Sequence, residues 1–152
     1  MKTGIGSTCV RDVVTVTRET SIAAAAALMR KHHVGALVIV DEHDPLRKPR
    51  GIVTDRDIVV EVVASGLDAK AIAIGEIVQR PVVTVTSDAP YADVVRAMSV
   101  HGVRRLPVVD AGGRLAGIVS LDDVLLELSG PLVAVGDLAL RERRFDASTR
   151  VA

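Results

Sequence analysis

An internal repeat covers most of this chain and limits the folds that it can adopt. Shifted by 69 positions, the stretch VVTVT at 13–17 aligns with an identical VVTVT at 82–86. Further along each copy the offset falls to 66, so that GIVTDRD at 51–57 aligns with GIVSLDD at 117–123. Such a repeat predicts two copies of one supersecondary unit. The three additional residues of the first copy belong to a polar stretch typical of an exposed hairpin tip.

Both copies show the same order of predicted elements. A β-branched strand leads to a polar RETS or SDAP stretch that can cap a helix, and an aliphatic strand follows that helix. After a turn comes a second strand that contains the glycine heptapeptide, and a final helix begins at or beside its aspartate. The order β-α-β-β-α, repeated, predicts a mixed α/β (α+β) fold. The predicted strands are 13–17, 36–41, 82–86 and 106–110, and the predicted helices are 22–33 and 91–102.

The final helix of each copy is apolar on almost every side, with Glu61 or Glu127 as the polar exception. A helix of this kind is covered on more than one side. We expect one side to pack on its own sheet and another on a second copy of the module. The apolar residues are Ile58, Val59, Val60, Val62 and Val63 in the first copy and Val124, Leu125, Leu126 and Leu128 in the second.

Composition argues against several classes of function. The 152 residues include nineteen basic and nineteen acidic side chains, so no net charge attracts a polyanion. Tyr91 and Phe145 are the only aromatic residues, which also argues against a single-strand nucleic-acid binder. No apolar run reaches the roughly 20 residues of a membrane span, and the N-terminus lacks the apolar run of a signal peptide. We therefore expect a soluble, cytoplasmic protein that binds neither nucleic acid nor membrane.

The sequence contains no motif that indicates catalysis or a metal site. Cys9 is the only cysteine, which excludes an intrachain disulfide but leaves open a disulfide between chains or a redox-sensitive thiol. His32 and His101 recur at the end of the same predicted helix, where a cation favours the helix dipole, and no second ligand recurs with them at a metal-binding spacing. Phosphate-loop, dinucleotide and nucleophile-elbow motifs are also missing from the sequence. We expect neither an enzyme nor a metalloprotein.

The repeated heptapeptide combines a glycine, a hydroxyl and a carboxylate at fixed spacing. Glycine in a strand marks a point where another group comes close to the backbone. A carboxylate at a helix start stays ionised and can accept hydrogen bonds from the two adjacent hydroxyls of a ribose, while the hydroxyl and the helix-start amides can donate to a phosphate. The same residues can equally be a plain helix cap. They are Gly51, Thr54 and Asp57 in the first copy and Gly117, Ser120 and Asp123 in the second.

With these motifs in both copies, the chain resembles a tandem pair of CBS domains (cystathionine β-synthase repeats), a pair often called a Bateman module. The resemblance rests on HHVGALVIVD followed by GIVTDRDI, and on HGVRRLPVVD followed by GIVSLDDV, and it covers residues 8–130. It implies two repeats packed as a pseudo-two-fold pair, each a small sheet flanked by helices. The implied boundaries are repeat 1 at 8–66, a linker at 67–75, repeat 2 at 76–130 and a C-terminal helix and tail at 131–152.

CBS pairs usually bind adenosine-containing ligands in two clefts between the repeats, so the resemblance implies two sets of binding residues here. In one cleft the aspartate grips ribose while backbone of the other repeat lines an adenine slot. In the second cleft an alanine replaces the hydroxyl of Thr20, which weakens the case for that cleft. The first cleft comprises Ser120 and Asp123 with the segment from Thr20 to Ala25, and the second comprises Thr54 and Asp57 with Ala89.

Phosphate binding requires cations. Arg104 and Arg105 directly precede the strand LPVVD, where the family often places phosphate-binding residues, whereas Gly35 and Ala36 occupy the matching positions in the first copy. Arg56 is a further candidate, because a guanidinium binds phosphate in a bidentate way. Solvated surface charge is the alternative for each arginine.

The resemblance thus implies a regulatory module without catalysis that senses cell energy or redox state. The expected ligand is AMP, ADP, ATP or NAD, with no catalytic cofactor, and the expected assembly is a homodimer that acts on an unidentified effector protein. The alternative is a ligand-free dimeric scaffold that acts through its helical surfaces and C-terminal tail.

Overall fold

The computed structural model describes residues 4–130, so the C-terminal helix and tail expected at 131–152 lie outside the described residues. Both repeats show the expected β-α-β-β-α order, and each contains one three-stranded sheet flanked by helices. Repeat 1 contains strand β1 (Thr15–Val16), helix α1 (Ile22–His32), strands β2 (Ala36–Val40) and β3 (Pro49–Thr54), and helix α2, which begins as Asp55–Asp57 and continues as a π-helical segment, Ile58–Val63. A short helix α3 (Ile74–Ile77) precedes repeat 2, which contains β4 (Val85–Thr86), α4 (Tyr91–His101), β5 (Arg105–Val109), β6 (Leu115–Ser120) and helix α5 at 121–130.

The sheet topology decides which ends of the strands meet. In each sheet the first strand pairs with the second in parallel, and the second pairs with the third antiparallel. The start of β2 therefore lies beside the end of β3, where Ala36 pairs with Thr54, and likewise Arg105 pairs with Ser120. The residue that follows β1 or β4 lies at the opposite end of the sheet, beyond the end of β2 or β5.

The ends of the helices follow local chemistry, and one expected cap is wrong. Ser21 caps α1, its hydroxyl accepting a hydrogen bond from the amide of Ala24 at 3.2 Å. In repeat 2 the N-cap position is Pro90, which makes no side-chain cap, so the SDAP stretch does not repeat this contact. Helices α1 and α4 end one residue earlier than predicted, because His33 (φ 53°) and Gly102 (φ 63°) adopt the left-handed conformation that terminates a helix.

The segment that leads into each repeat packs on the other repeat. The amide of Ile5, ahead of repeat 1, donates to the carbonyl of Ala89 at 3.0 Å, and the amide of Ile74, ahead of repeat 2, donates to the carbonyl of Thr20 at 2.9 Å. Ile5 and Ile74 are both 0% exposed. Each isoleucine thus completes the core of the repeat that it does not precede, so neither repeat has a complete core without the other leading segment.

The core has one cluster of buried residues for each repeat. Ile74 belongs to the first cluster, and Ile5 and Cys9 belong to the second. The clusters consist of Val16, Ile22, Ala25, Met29, Leu37, Ile39, Val53, Ile58, Val62 and Ile74, and of Ile5, Cys9, Val94, Met98, Leu106, Val108, Val119 and Val124.

The heptapeptide glycines lie where the leading segments cross the sheets, as the sequence predicted. A Cβ on Gly117 would lie 2.6 Å from the Sγ of Cys9 and 2.9 Å from the carbonyl oxygen of Val10. A Cβ on Gly51 would lie 3.3 Å from Val78, which is the residue equivalent to Cys9, and 2.9 Å from Ile39. Glycine is required at Gly117, where backbone of the leading segment occupies the space of a side chain, whereas at Gly51 the nearest atoms belong to side chains.

We predict that Gly117→Ala destabilises the protein by about 1–3 kcal/mol, because the new methyl group overlaps the backbone of the leading segment. Urea denaturation measures the free energy of unfolding. Gly130→Ala is the matched control, since a Cβ at Gly130 has no heavy atom of residues 4–130 within 4 Å. Equal free energies of unfolding for the two variants would contradict the close approach at Gly117.

Candidate functional site

Each heptapeptide forms a capping box at the start of a helix. The Oδ2 atom of Asp57 accepts hydrogen bonds from the amide and the hydroxyl of Thr54, both at 2.8 Å, and the amide of Asp57 donates back to that hydroxyl at 3.2 Å. Asp123 and Ser120 make the same three contacts at 2.8, 2.6 and 3.2 Å. The interpretation of the aspartates as cap residues is therefore correct.

The capping box orients each carboxylate through only one of its two oxygen atoms. Within residues 4–130, all hydrogen bonds to the carboxylates of Asp57 and Asp123 end on Oδ2, and none ends on Oδ1. A carboxylate oxygen has two lone pairs, so Oδ1 can accept from two further donors. The cap and a ligand thus use different oxygens of one carboxylate, and the cap role does not exclude the binding role.

Two arginines lie beside the capping box of repeat 2. Arg105 pairs directly with Ser120 across β5 and β6, and the carbonyl of Arg104 accepts from the amide of Leu121 at 2.8 Å. The guanidinium of Arg104 lies 3.5 Å from Asp122, and both side chains are 72% exposed. An exposed pair of this kind contributes little to stability, so Arg104 remains available to an anion. The structure thus places Ser120, Asp123 and both arginines near one another, and their role in ligand binding stays a prediction.

Arg105 also reaches repeat 1, at a contact that the sequence analysis missed. A Cβ on Gly35 would lie 3.3 Å from a guanidinium nitrogen of Arg105 and 2.9 Å from a carboxylate oxygen of Asp55. The start of β2 therefore meets the start of β5, and the capping box of repeat 2 lies near the junction between the repeats. The sequence does contain one indication of this contact: Gly35 has no side chain, which leaves room for the guanidinium of Arg105.

The equivalent place in repeat 1 has fewer cations. Thr54 and Asp57 form its capping box, and Arg56 lies between them in the first turn of α2, where its amide donates to Asp55 at 2.8 Å. Arg56 is exposed and adjacent to this box, as expected. Because Gly35 and Ala36 replace the arginine pair of repeat 2, repeat 1 offers one arginine where repeat 2 offers two.

The structure does not bring Thr20 to Ser120. Arg105, beside Ser120, meets Gly35 at the start of β2, whereas Thr20 follows β1 and lies beyond the far end of β2. A strand of five residues is about 16 Å long, which separates the two places. The hydroxyl of Thr20 instead accepts from the amide of Thr17 at 3.2 Å.

Ala25 and Ala89 are also explained by the fold. The side chain of Ala25 is 0% exposed inside the first core cluster, so it does not line a slot open to a ligand. Ala89 packs against the second cluster, at the end of its sheet opposite to Ser120, and its carbonyl accepts from Ile5. The carbonyls of Ala89 and Thr20 are thus the attachment points of the two leading segments.

Cys9 lies under Gly117 and is only 8% exposed. Its Sγ lies 3.6 Å from the carbonyl oxygen of Gly6. Burial raises the pKa of the Cys9 thiol, the nearby charge of Asp123 adds to the increase, and Arg11 opposes it. A buried thiol with a raised pKa is a poor nucleophile, which does not favour the redox-sensitive role that the sequence left open.

Among residues 4–130, no group of three or more His, Cys, Asp or Glu side chains could hold a metal ion. No helix in this range is both long and apolar enough to cross a membrane.

The sequence model of the CBS domain family matches the chain twice, over residues 5–64 and 74–130. Hypoxic response protein 1 of Mycobacterium tuberculosis is 38% identical over 123 residues, which are 81% of this chain and 79% of that protein. An uncharacterized protein of Methanopyrus kandleri is 39% identical over 121 residues, 80% of this chain but 60% of that protein. The chain therefore spans less than two thirds of the Methanopyrus protein.

Solved structures resemble the whole described region. A CBS domain protein from Pyrobaculum aerophilum, complexed with AMP, matches with a TM-score of 0.73 and 27% identity over 83% of this chain and 98% of its own. A CBS domain pair in complex with 5′-methylthioadenosine and S-adenosyl-L-methionine matches with a TM-score of 0.73 and 33% identity over 85% of this chain and 98% of its own. Both proteins bind adenosine-containing molecules.

We predict that Ser120→Ala destabilises the protein by about 0.5–2 kcal/mol, the usual contribution of an N-cap residue, because it removes the side-chain contacts with Asp123. Thermal or urea denaturation measures the loss. Thr54→Ala should cost a similar amount, since Thr54 makes the same contacts in repeat 1. A Ser120→Ala variant as stable as the wild type would contradict the capping box.

Proposed function

This chain belongs to the CBS domain family, and from that membership we propose that it is a regulatory module that binds an adenosine-containing ligand at the Asp123 site, defined as Ser120, Asp123, Arg104 and Arg105. The observation that supports this proposal most is the capping box of repeat 2, which holds a carboxylate with one unused oxygen beside two arginines at the junction of the repeats. The two similar structures with AMP and with S-adenosyl-L-methionine support the adenosine part of the ligand.

In the proposed complex the ribose binds to Asp123. Oδ2 is held by Ser120, so the 2′- and 3′-hydroxyls donate to Oδ1, which has no partner among the described residues. Hydrogen bonds to a charged acceptor contribute more than neutral ones. Because the cap fixes the carboxylate beforehand, binding orders few additional side chains.

The phosphate groups of the ligand bind to Arg104 and Arg105. To bind a phosphate, Arg104 has to break only its ion pair with Asp122, which is weak because both side chains are exposed. The candidates are AMP, ADP, ATP and NAD, which share the ribose and the phosphate. The Asp57 site, with Thr54, Asp57 and Arg56, is the second and weaker cleft because it has one arginine instead of two.

Binding is reported through the contact between the repeats. Arg105 lies against Gly35 and near Asp55 of repeat 1. A phosphate that attracts Arg105 changes this contact, and the ligand can shift the packing only by as much as it discriminates between the two arrangements. The module would in this way pass the energy or redox state of the cell to an effector protein, without catalysing a reaction itself.

The same helices that follow the capping boxes favour a homodimer. Several apolar side chains of the α2 and α5 region are solvent-exposed in the single chain, and monomeric proteins rarely expose a contiguous apolar patch of large size. A second copy would cover them. They include Val59 (56% exposed), Val63 (65%) and Leu67 (48%) in the first repeat, and Leu125 (54%), Leu126 (72%) and Leu128 (47%) in the second.

This apolar surface also supports the alternative function, a dimeric scaffold whose clefts bind no ligand. The scaffold predicts a stable dimer whose melting temperature does not change with any adenine nucleotide, whereas the regulatory module predicts a rise.

We predict that Asp123→Ala lowers the affinity for the best-binding nucleotide at least tenfold, because two hydrogen bonds to a charged acceptor are lost. Isothermal titration of AMP, ATP and NAD measures the change. Asp93→Ala is the matched control, since Asp93 is an exposed carboxylate on α4 that pairs with Arg96. The proposal fails if none of the three nucleotides binds the wild type, or if Asp93→Ala weakens binding as much as Asp123→Ala.

We predict that Leu126→Glu shifts the protein from dimer to monomer, because a charge replaces an apolar side chain that is 72% exposed in the single chain. Light scattering coupled to size exclusion measures the mass. Glu61→Lys, a polar change on α2, serves to detect a general effect of altered charge. A wild type that is monomeric at micromolar concentration, or a Leu126→Glu variant that remains dimeric, would contradict this assignment.

A further inference from the structure

A small cavity lies between the repeats where their hairpin tips meet, at the other end of the sheets from the capping boxes. The carbon chain of Lys48 in the first hairpin lies 3.4 Å from the position of a Cβ on Gly113 in the second, so the two tips are in contact. The cavity has a volume of about 140 Å³ and is lined by Arg11, Val13, Thr15, Arg47, Arg114 and Leu115. We call this the tip cavity.

The tip cavity is lined by three arginines and by no acidic residue. The ion pairs found within residues 4–130 are Arg50–Asp44, Arg96–Asp93 and Arg104–Asp122, so none involves an arginine of the tip cavity. A larger cleft of about 900 Å³ at the carboxyl ends of β1 and β2 differs, because Glu19, Asp41 and Glu42 accompany Arg18 and Arg50 in its lining. The tip cavity therefore concentrates positive charge that no carboxylate of residues 4–130 pairs with in its lining.

Two of these arginines are held in place by hydrogen bonds. Arg47 donates from Nη2 to the hydroxyl of Thr15 at 2.6 Å, and Arg11 donates from Nη2 to the carbonyl of Gly6 at 3.1 Å. Each guanidinium has five N–H donors, so most of them remain for another acceptor. Fixed guanidinium groups lose little conformational freedom when they bind an anion, and their fork matches the geometry of phosphate oxygens.

We propose that the tip cavity binds a small inorganic phosphoryl anion, phosphate or pyrophosphate. Its volume is about half of the roughly 300 Å³ at which pockets for drug-sized ligands begin, so the cavity encloses a group smaller than a whole nucleotide. The site is separate from the proposed adenosine site, because β6 places Leu115 and Ser120 at opposite ends of a strand of six residues, about 17 Å apart. The inference does not depend on adenosine binding.

Isothermal titration with pyrophosphate, and separately with phosphate, tests this site. The variants are Arg47→Gln and Arg114→Gln, with Arg96→Gln on α4 as the matched control for loss of one exposed arginine. We expect pyrophosphate to bind the wild type and to bind each tip-cavity variant at least tenfold more weakly, since a charge-assisted hydrogen bond is worth about that factor. Arg96→Gln should bind as the wild type does, and Arg104→Gln is measured to separate the tip cavity from the Asp123 site.

Three results would overturn the proposal. The first is no binding of either anion to the wild type at millimolar concentration. The second is an equal loss in Arg96→Gln, which would indicate attraction to general surface charge, or in Arg104→Gln, which would move the anion to the Asp123 site. The third is displacement of pyrophosphate by ATP in the Asp123→Ala variant. That result would mean that the tip cavity binds the phosphate chain of a nucleotide. Melting curves of all variants check that each is folded.

Discussion

The exchange of leading segments between the repeats is the constraint on which the rest of the structure depends. Ile5 completes the core of repeat 2 and Ile74 completes that of repeat 1, each through a backbone hydrogen bond to the residue before the N-cap of the first helix in the repeat that it completes. The exchange brings Cys9 against Gly117 and Val78 against Gly51. Since each core cluster includes an isoleucine from the leading segment of the other repeat, each repeat depends on the other for a complete core. Their junction therefore has a defined geometry, which a shared binding site requires.

The capping boxes connect the fold of the two repeats to the proposed binding sites. A hydroxyl that ends a strand and a carboxylate three residues later satisfy the first amides of a helix, which any helix start needs. The same contacts leave Oδ1 of Asp57 and Asp123 without a partner among the described residues. Local stability and ligand recognition thus depend on the same few atoms, so that a change in affinity in an Asp123 variant has to be compared with the stability of the same variant.

Much of this arrangement could be predicted from the sequence. The offset of the repeat gave the order of elements, and the heptapeptide glycines predicted a close approach that Cys9 and Val10 make at Gly117. Ser120, Asp123, Arg104 and Arg105, which the resemblance implied as one set, lie near one another because Arg105 pairs with Ser120 across β5 and β6, and their role in binding stays a prediction. Thr20 and Ala25 were misplaced since a polar stretch before a helix predicts a cap but not the end of the sheet where that cap lies. The parallel pairing of β1 with β2 decides that, and it depends on contacts distant in sequence.

The difference between the two repeats has a physical reason in their junction. At the start of β5, Arg104 and Arg105 are two adjacent cations, and Arg105 extends over repeat 1 into space that exists because Gly35 has no side chain. A second arginine pair in place of Gly35 and Ala36 would bring like charges together at that point, and like charges at close range are costly unless an anion lies between them. Small residues at positions 35 and 36 of repeat 1 thus make room for the arginines at the equivalent positions of repeat 2. The asymmetry of the two proposed sites thus follows from packing two similar units against each other, because Arg105 of repeat 2 occupies space beside Gly35 of repeat 1.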